Sequence, residues 1–251
     1  MQQAKYIKLW KAELVTAAAA PYRTQGRFAW HFARGKLGGD PVFSGLLEQG
    51  LIPSGSNILD LGCGQGLLAA WLRAAHTMYS TGKWPEAWPP APEIITYRGI
   101  ELMPRDVRRA SAITGEHVRI EPGDIRTADF GDANVVVILD VLHYMDFAAQ
   151  NDILRRVRRT LGPDGTLLVR VGNAAGGWPF RISNYVDFMA ATARGHRLGK
   201  LYCRTLEQWT QALESLNFTV RSVPMSQGTP FANVLLVARG RETSTQVNGK
   251  A

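Results

Sequence analysis

The stretch Ile58-Leu59-Asp60-Leu61-Gly62-Cys63-Gly64-Gln65-Gly66 places three glycines at alternate positions after an apolar run. A run with helical character, Leu67–Ala75, follows directly. Glycine is favoured where the backbone takes a positive φ or must lie against a ligand, so this stretch predicts a strand, a tight turn and a helix start. The spacing differs from the dinucleotide fingerprint G-x-G-x-x-G, because Leu67 stands where its third glycine would be.

Length and composition indicate one sizeable α/β domain with additions, since the chain has 251 residues, 45% hydrophobic and 20% charged. No apolar run reaches the roughly 18 residues that a membrane span needs. Charged residues interrupt the apolar stretch before Pro21, which argues against a signal peptide. With two cysteines, Cys63 and Cys203, a reduced, cytoplasmic setting is expected.

The net charge of +8 is compatible with a nucleic acid, an acidic protein partner or a membrane surface. A generally arginine-rich composition would account for the same charge.

The domain organisation is predicted as an N-terminal helical cap, residues 1–50, a main domain, residues 51–240, and a disordered tail, residues 241–251. The cap should hold a helix ending at Pro21, a second over Thr24–Leu37 and a third over Val42–Gly50. Within the main domain, a Trp- and Pro-rich loop insertion spans residues 76–93 and a cap insertion spans residues 172–205. The tryptophans of the loop would either bind a partner or anchor the loop.

Seven strands and four helices are predicted after the cap. The strands are Asn57–Leu61, Ile94–Ile100, Val118–Glu121, 132–139, Thr166–Val171, Phe218–Pro224 and Asn233–Arg239. The helices are Leu67–Ala75, Arg105–Thr114, Asn151–Leu161 and Leu206–Leu216. The continuous apolar run of the fourth strand is typical of a central parallel strand.

Four stretches resemble the motifs of the class I S-adenosylmethionine (SAM) methyltransferases. They are D-x-G-x-G-x-G at residues 60–66, residues 99–104, residues 123–125 and residues 140–145. The resemblance covers about residues 55–240. It implies the α/β class I methyltransferase fold: a doubly wound, seven-stranded, Rossmann-like sheet with a helical N-terminal cap and a second cap insertion after the fifth strand. Ligands of such sheets bind where the strand order reverses.

The resemblance also implies a cofactor site for SAM, whose product is S-adenosylhomocysteine. No metal is expected, because the sequence contains no closely spaced His/Cys cluster. Glu101 would accept hydrogen bonds from the ribose hydroxyls and Asp124 from the adenine amino group, while Ile125 supplies a backbone N–H. Arg34 is predicted to face the cofactor carboxylate, because its fork suits a carboxylate; the alternative is a solvated helix end. The cofactor residues are Asp60, Gly62, Cys63, Gly64, Gln65, Glu101, Leu102, Asp124, Ile125, Asp140 and Arg34.

The acceptor is predicted to be a small molecule in an aromatic-lined pocket. The substrate-binding candidates are Phe28, Trp30, Tyr144, Trp178 and Tyr185; the alternative is that the aromatic residues of the cap pack its helices onto the sheet. Residues 26–41 resemble methyltransferases of bacterial aryl polyene and polyketide-type pathways. That implies O-methylation of an aromatic hydroxyl, or methylation of a ring carbon, on a secondary metabolite that is free or presented on an acidic acyl carrier protein.

Two other function classes stay open, an RNA methyltransferase and a non-catalytic SAM-binding protein. The chain lacks Asn/Asp-Pro-Pro-Tyr after its fourth strand, which counts against amino nitrogens of adenine or glutamine as acceptors.

A base that removes the acceptor proton is predicted among three histidines. His143 comes first because it follows the fourth strand, which would place it at the sulfonium end of the cofactor if Asp140 begins the turn. His31 in the aromatic cap segment is the runner-up, and His196 is third. In the alternative interpretation, His143 only shapes the pocket.

Overall fold

A computed structural model describes residues 2–172, 201–225 and 233–241. Its centre is a seven-stranded sheet in the order β3-β2-β1-β4-β5-β7-β6. The strands are β1 Ser56–Leu61, β2 Ile94–Glu101, β3 Val118–Pro122, β4 Ala133–Leu139, β5 Leu161–Gly172, β6 Phe218–Pro224 and β7 Asn233–Gly240. The first five strands are parallel, and β7 is antiparallel to both β5 and β6.

Seven α-helices surround this sheet in the described part of the chain. They are α1 Gln2–Ala19, α2 Arg27–Gly39, α3 Pro41–Glu48, α4 Leu67–Ser80, α5 Pro104–Ala110, α6 Phe147–Thr160 and α7 Leu206–Glu214. Short 3-10 turns occupy Ala20–Gln25 and Leu142–Tyr144. The predicted α/β fold class, with its doubly wound sheet, is confirmed.

The strand order reverses at β1, which pairs with β2 on one side and β4 on the other. Asp60 lies beside Gly99 of β2 and Val137 of β4. The carboxyl ends of these three strands therefore meet at one edge, where open α/β sheets bind their ligands.

Two apolar layers cover the sheet. On one face, helices α1 to α4 pack onto it around Leu14, Tyr22, Leu46 and Trp71. The other layer is built from α6 and α7, with Leu154 and Trp209 fully buried. The N-terminal cap is thus continuous with the core of the main domain.

Three helix boundaries differ from the sequence prediction by about four residues or more. Helix α4 continues to Ser80, because Met78 is buried on its inner face, so the 76–93 insertion begins as helix. Helix α6 begins at Phe147 instead of Asn151, since the Asp146 side chain accepts a hydrogen bond from the Ala149 N–H at 2.8 Å. Helix α5 ends at Ala110.

The tryptophans of the insertion anchor the first helix. Trp10 of α1 donates its indole N–H to the Lys83 carbonyl at 2.7 Å. Its ring meets Trp84 and Trp88 edge-on, with centroids 5.2 and 4.7 Å apart. We call Trp10, Trp84 and Trp88 the indole cluster. Of the two interpretations of this loop, these contacts support anchoring.

None of the helices in the described ranges is both long and apolar enough to cross a membrane. The cytoplasmic setting stays a prediction.

Candidate functional site

The glycine-rich loop after β1 takes the conformation that only glycine adopts easily. Gly62, Gly64 and Gly66 have φ of 77°, 58° and 76°. A Cβ on Gly62 would lie 2.5 Å from a methyl carbon of Val141, and one on Gly66 would lie 2.5 Å from the Ile120 Cδ1. Beside Gly64 there is open space. The loop is therefore packed on both flanks and exposes its middle backbone to a ligand.

Glu101 joins the end of β2 to this loop. One carboxylate oxygen accepts a hydrogen bond from the Gly64 N–H, and the other accepts from the Met103 N–H, each at 2.8 Å. The side chain borders the open space beside Gly64, and the residue is only 8% exposed. The structure thus places Glu101 at the carboxyl end of β2, against the loop that follows β1, and its binding of a ribose stays a prediction.

Cys63 lies between these two segments. Its Sγ occupies the space that a Cβ on Gly99 would enter, at 2.6 Å. Burial raises the pKa of the Cys63 thiol well above its usual value, and the charges of Asp60 and Glu101 raise it further. Cys63 is consequently a packing contact between β1 and β2.

Asp60 is a buried carboxyl that accepts a hydrogen bond from the Tyr97 hydroxyl. Burial raises the pKa of Asp60 to about 7; the Tyr97 hydrogen bond lowers it and the Glu101 charge raises it. Its side chain therefore supports the loop from behind, and it titrates near neutral pH.

Replacing Tyr97 with phenylalanine is expected to destabilise the fold by about 1–3 kcal/mol, because the buried Asp60 loses its donor. The pKa of Asp60 is raised in the folded protein, so the free energy of unfolding falls as pH rises towards that pKa. Without the Tyr97 hydrogen bond, the pKa of Asp60 in the folded variant would be higher still. The loss of stability should therefore be larger at pH 8 than at pH 5. Urea unfolding at both pH values measures this, with the exposed Tyr79→Phe as control. An equal loss at both pH values would contradict it.

Gln65 connects the loop to the N-terminal cap. The Tyr22 hydroxyl donates to the Gln65 carbonyl at 2.8 Å, and the Gln65 amide donates to the Ala29 carbonyl at 3.1 Å. Within the described part of the chain, the buried Gln65 Oε1 has no hydrogen-bond partner. The side chain predicted to contact the cofactor therefore holds α2 against the glycine loop.

Asp124 follows β3 and is paired with Arg126. The Arg126 Nε donates to both carboxylate oxygens, at 3.0 and 2.9 Å, and the Arg126 backbone N–H donates at 2.9 Å. The Arg126 hydrogen bonds hold the pKa of Asp124 below its usual value. An adenine amino group would have to share this carboxylate with the guanidinium. Ile125 is buried, whereas Leu102 after β2 is exposed.

Four charged side chains meet at the end of β4, and we call them the cap–sheet ion network: Lys36, Asp40, Asp140 and Arg170. Arg170 of β5 donates to both oxygens of Asp140 and to Asp40. The Lys36 ammonium lies 2.8 Å from Asp40 and 3.7 Å from Asp140. Both oxygens of Asp140, predicted to bind the cofactor, are therefore engaged by Arg170.

Arg34 lies away from this network. It is exposed on α2, and its guanidinium stacks on Trp30 at 5.1 Å from the ring centroid. In the described structure, Lys36 is the α2 cation that reaches the end of β4. The solvated alternative for Arg34 describes its surroundings better than the predicted contact with a cofactor carboxylate.

His143 is half-buried in the 3-10 turn after β4, and its Nε2 atom is buried. Burial lowers its pKa, the Asp140 charge raises it, and the Arg170 charge lowers it. Among the described residues, none forms a hydrogen bond with its Nε2. The ring of the partly exposed Tyr144 lies 4.2 Å away, between centroids. A neutral imidazole with an unpaired nitrogen is suited to accept a proton.

The remaining predicted residues lie elsewhere. His31 is exposed, with its ring 4.6 Å from that of Trp30. Phe28 is 60% exposed, with Arg109 over its ring at 4.7 Å. Trp30 is flanked by Arg23 as well as Arg34. His196, Trp178 and Tyr185 lie outside the described residues.

The described residues include no group of three or more His, Cys, Asp or Glu side chains that could hold a metal ion. The absence of a metal stays a prediction.

Comparison with known proteins identifies relatives of this chain. A family model described as "Methyltransferase domain" matches residues 30–223. The carboxy-S-adenosyl-L-methionine synthase of Chromohalobacter salexigens is 28% identical over 130 residues, which are 50% of this chain and 43% of the relative. The match thus spans less than half the length of that curated relative.

Solved structures share the fold. Magnesium protoporphyrin IX methyltransferase from Synechocystis PCC 6803, solved with S-adenosylhomocysteine, superposes with a TM-score of 0.53 at 15% identity, covering 79% of this chain and 80% of that chain. An O-methyltransferase family protein from Burkholderia thailandensis gives 0.58 at 18% identity, covering 87% and 60%. Because the family model spans well over half of the sequence, the chain belongs to the family of methyltransferase domains.

Proposed function

We propose that the chain transfers a methyl group from S-adenosylmethionine to a small-molecule acceptor. The observation that carries this is the junction of the glycine loop and β2, where the Gly64 N–H meets the Glu101 carboxylate beside open space. A carboxylate at this edge accepts hydrogen bonds from ribose hydroxyls. The cofactor supplies an activated methyl group on its sulfonium and leaves as S-adenosylhomocysteine. The chain holds the acceptor in line with the methyl group and excludes water.

Replacing Glu101 with alanine is expected to weaken binding of the cofactor product at least about tenfold. It removes charge-assisted hydrogen bonds worth roughly 1.5–3 kcal/mol each, and 1.4 kcal/mol corresponds to a factor of ten. Isothermal calorimetry with S-adenosylhomocysteine measures the change, and thermal unfolding checks that the variant is folded. Glu93→Ala, exposed just before β2, is the control. Unchanged affinity in a folded Glu101→Ala protein would overturn the assignment of Glu101 to the ribose.

The acceptor that we propose is an aromatic hydroxyl, with a ring carbon as the alternative atom. The support is the pair formed by the half-buried His143 and the partly exposed Tyr144, which follows Asp140 at the edge where β4 ends. A phenol has a pKa near 10, so transfer at neutral pH benefits from a base. Methylation of a ring carbon also releases a proton, from the ring C–H bond that the methyl group replaces, so the position of the methyl label separates the two acceptor atoms and the dependence on the base does not.

The acceptor is proposed to arrive free or on an acidic acyl carrier protein. The exposed face of the cap supports an acidic partner, because Arg23, Arg27 and Arg34 lie on it and α2 contains no acidic residue. The test supplies methyl-labelled SAM with a phenolic acid, either free or attached to a carrier protein. Label on the phenol oxygen supports O-methylation. Tight binding of S-adenosylhomocysteine without transfer to any acceptor would favour the non-catalytic alternative.

The same cationic face favours RNA as the second candidate acceptor. If RNA is the partner, bulk tRNA should bind tightly, with an affinity that falls steeply as salt rises. An acidic carrier protein would show salt dependence too, so the deciding measurement is competition. Displacement of the carrier protein by tRNA indicates a shared RNA site, whereas carrier binding that resists tRNA indicates a protein partner.

A further inference from the structure

Arg170 is a fully buried cation that the proposed chemistry does not use. It lies in β5 beside Leu139 of β4, and its side chain is 1% exposed. Its Nε donates to one oxygen of Asp140 at 2.8 Å, one Nη donates to the other oxygen, and the second Nη donates to Asp40. One guanidinium thus bridges the end of β4 and the N-terminal cap.

On the cap side, the bridge reaches the junction of two helices. The Asp40 N–H closes α2 by donating to the Lys36 carbonyl at 3.0 Å. The Asp40 side chain starts α3 by accepting from the Val42 N–H at 3.1 Å. A contact that holds Asp40 therefore fixes where both helices meet the sheet.

On the sheet side, the bridge reaches a residue in an uncommon backbone conformation. Asp140 has a φ of 58°, and its N–H donates to the Arg170 carbonyl at 3.4 Å. Left-handed conformations of residues other than glycine persist only where the surroundings enforce them, and they cluster at functional sites. Asp140 opens the loop 140–146, which carries His143.

The network is also electrically balanced. Two cations, Arg170 and Lys36, face two carboxylates, Asp40 and Asp140. Losing any one of the four charges leaves the others uncompensated in a mostly buried place, where unpaired charge is costly.

We propose that Arg170, Asp40 and Lys36 are positioning residues that couple the placement of the cap to the conformation of the 140–146 loop. The coupling itself is independent of the acceptor; its effect on catalysis rests on the function proposed above. Asp40 is connected to this loop through Arg170 and Lys36. A change of charge in the cap should therefore alter the conformation of the loop segment that carries His143.

The test is hydrogen–deuterium exchange of Asp40→Asn. Asparagine still caps a helix and still accepts a hydrogen bond, so the substitution removes mainly the charge. We expect exchange to be at least about tenfold faster in both α2 and the 140–146 loop. Loss of one charge-assisted hydrogen bond changes the local opening equilibrium by about this factor. Exchange in β1 and β2 should stay unchanged. Glu13→Gln, which alters the exposed Lys83–Glu13 pair, is the matched control.

Faster exchange confined to α2, or spread evenly over the whole protein, would overturn the coupling. Lys36→Met provides a second measurement, because Lys36 contacts both carboxylates and is partly exposed. Lys36→Met should speed hydrogen–deuterium exchange in α2 and in the 140–146 loop. Lys36→Arg keeps the positive charge and should show wild-type exchange in both segments. Fast exchange in Lys36→Arg would count against the proposal.

A third readout separates the coupling from the proposed function. If wild-type protein transfers methyl groups, Lys36→Met should lower kcat while the KM for SAM stays within about twofold, since the loop is displaced and the ribose site is kept. A large KM change with constant kcat would contradict a positioning role. Coupled exchange without methyl transfer by any form of the protein would refute the proposed function and leave the coupling standing.

Discussion

Replacing His143 with alanine is expected to lower methyl-transfer turnover by about 10²–10⁴-fold, the usual effect of losing a general base. Burial keeps the pKa of His143 below its ordinary value, so the imidazole is neutral and able to accept a proton at pH 7.5. Its Nε2 is buried and forms no hydrogen bond with any residue that the structure describes. Cofactor affinity should be unaffected.

Turnover is measured with the acceptor identified by methyl labelling, and cofactor affinity is measured separately by calorimetry. Because the pKa of His143 is lowered, the wild-type pH–rate profile should fall only below about pH 6.5, and this acidic limb should vanish in the variant. The exposed His76→Ala is the control, and His31→Ala tests the runner-up. A loss under about tenfold with the acidic limb kept would assign the proton to His31 or to no base.

Replacing Arg170 with methionine is expected to destabilise the fold by about 3–5 kcal/mol, the usual cost of removing one partner from a buried ion pair. Asp40 and Asp140 would keep their buried positions without the cation that they share. Methionine fills similar space, so the effect reports mainly the lost charge and hydrogen bonds. Arg119→Met, a change of an exposed arginine on β3, should cost far less.

The pH dependence distinguishes this effect from a packing defect. In the wild type, Arg170 holds the pKa values of Asp40 and Asp140 below their usual range, against the effect of burial. Their contribution is therefore complete above about pH 4 and is lost as pH falls through the lowered values. In Arg170→Met, burial should raise the pKa values of Asp40 and Asp140. The two carboxyl groups then become protonated as pH falls, which removes their unpaired buried charge. The difference in the free energy of unfolding between wild type and variant should therefore narrow from pH 7 towards pH 4. Urea unfolding over this range measures it; a constant difference would contradict the electrostatic origin.

The parts of the fold that the sequence predicts well are those that local pattern determines. Alternate glycines at Gly62, Gly64 and Gly66 can satisfy a left-handed backbone at three points, and an acidic residue closing an apolar strand identifies Glu101. Both signals need only a few neighbouring residues. They therefore locate the loop, the strand and the carboxylate together.

The ion network could not be predicted in this way. Arg170 stands within an apolar strand, and its partner Asp40 is 130 positions away along the chain. Arg34 and Lys36 are two positions apart on one helix, so they point in different directions, and only the orientation of α2 decides which cation reaches Asp140. Likewise, nothing near Gln65 indicates that its amide binds the Ala29 carbonyl. These contacts depend on how the cap docks.

The indole cluster has a consequence for the way the chain can be divided. Trp10 is hydrogen-bonded to a carbonyl 73 positions further along and packs against Trp84 and Trp88. During synthesis, α1 emerges long before the residues that hold it, so it cannot complete its packing until β1, α4 and the loop as far as Trp88 have been made. A shortened protein that lacks residues 1–25 would also expose to water the face of α4 that packs against α1 and the indole rings of Trp84 and Trp88. The first helix is therefore a late-assembling part of the same cooperative unit, and shortened versions of this protein should keep it.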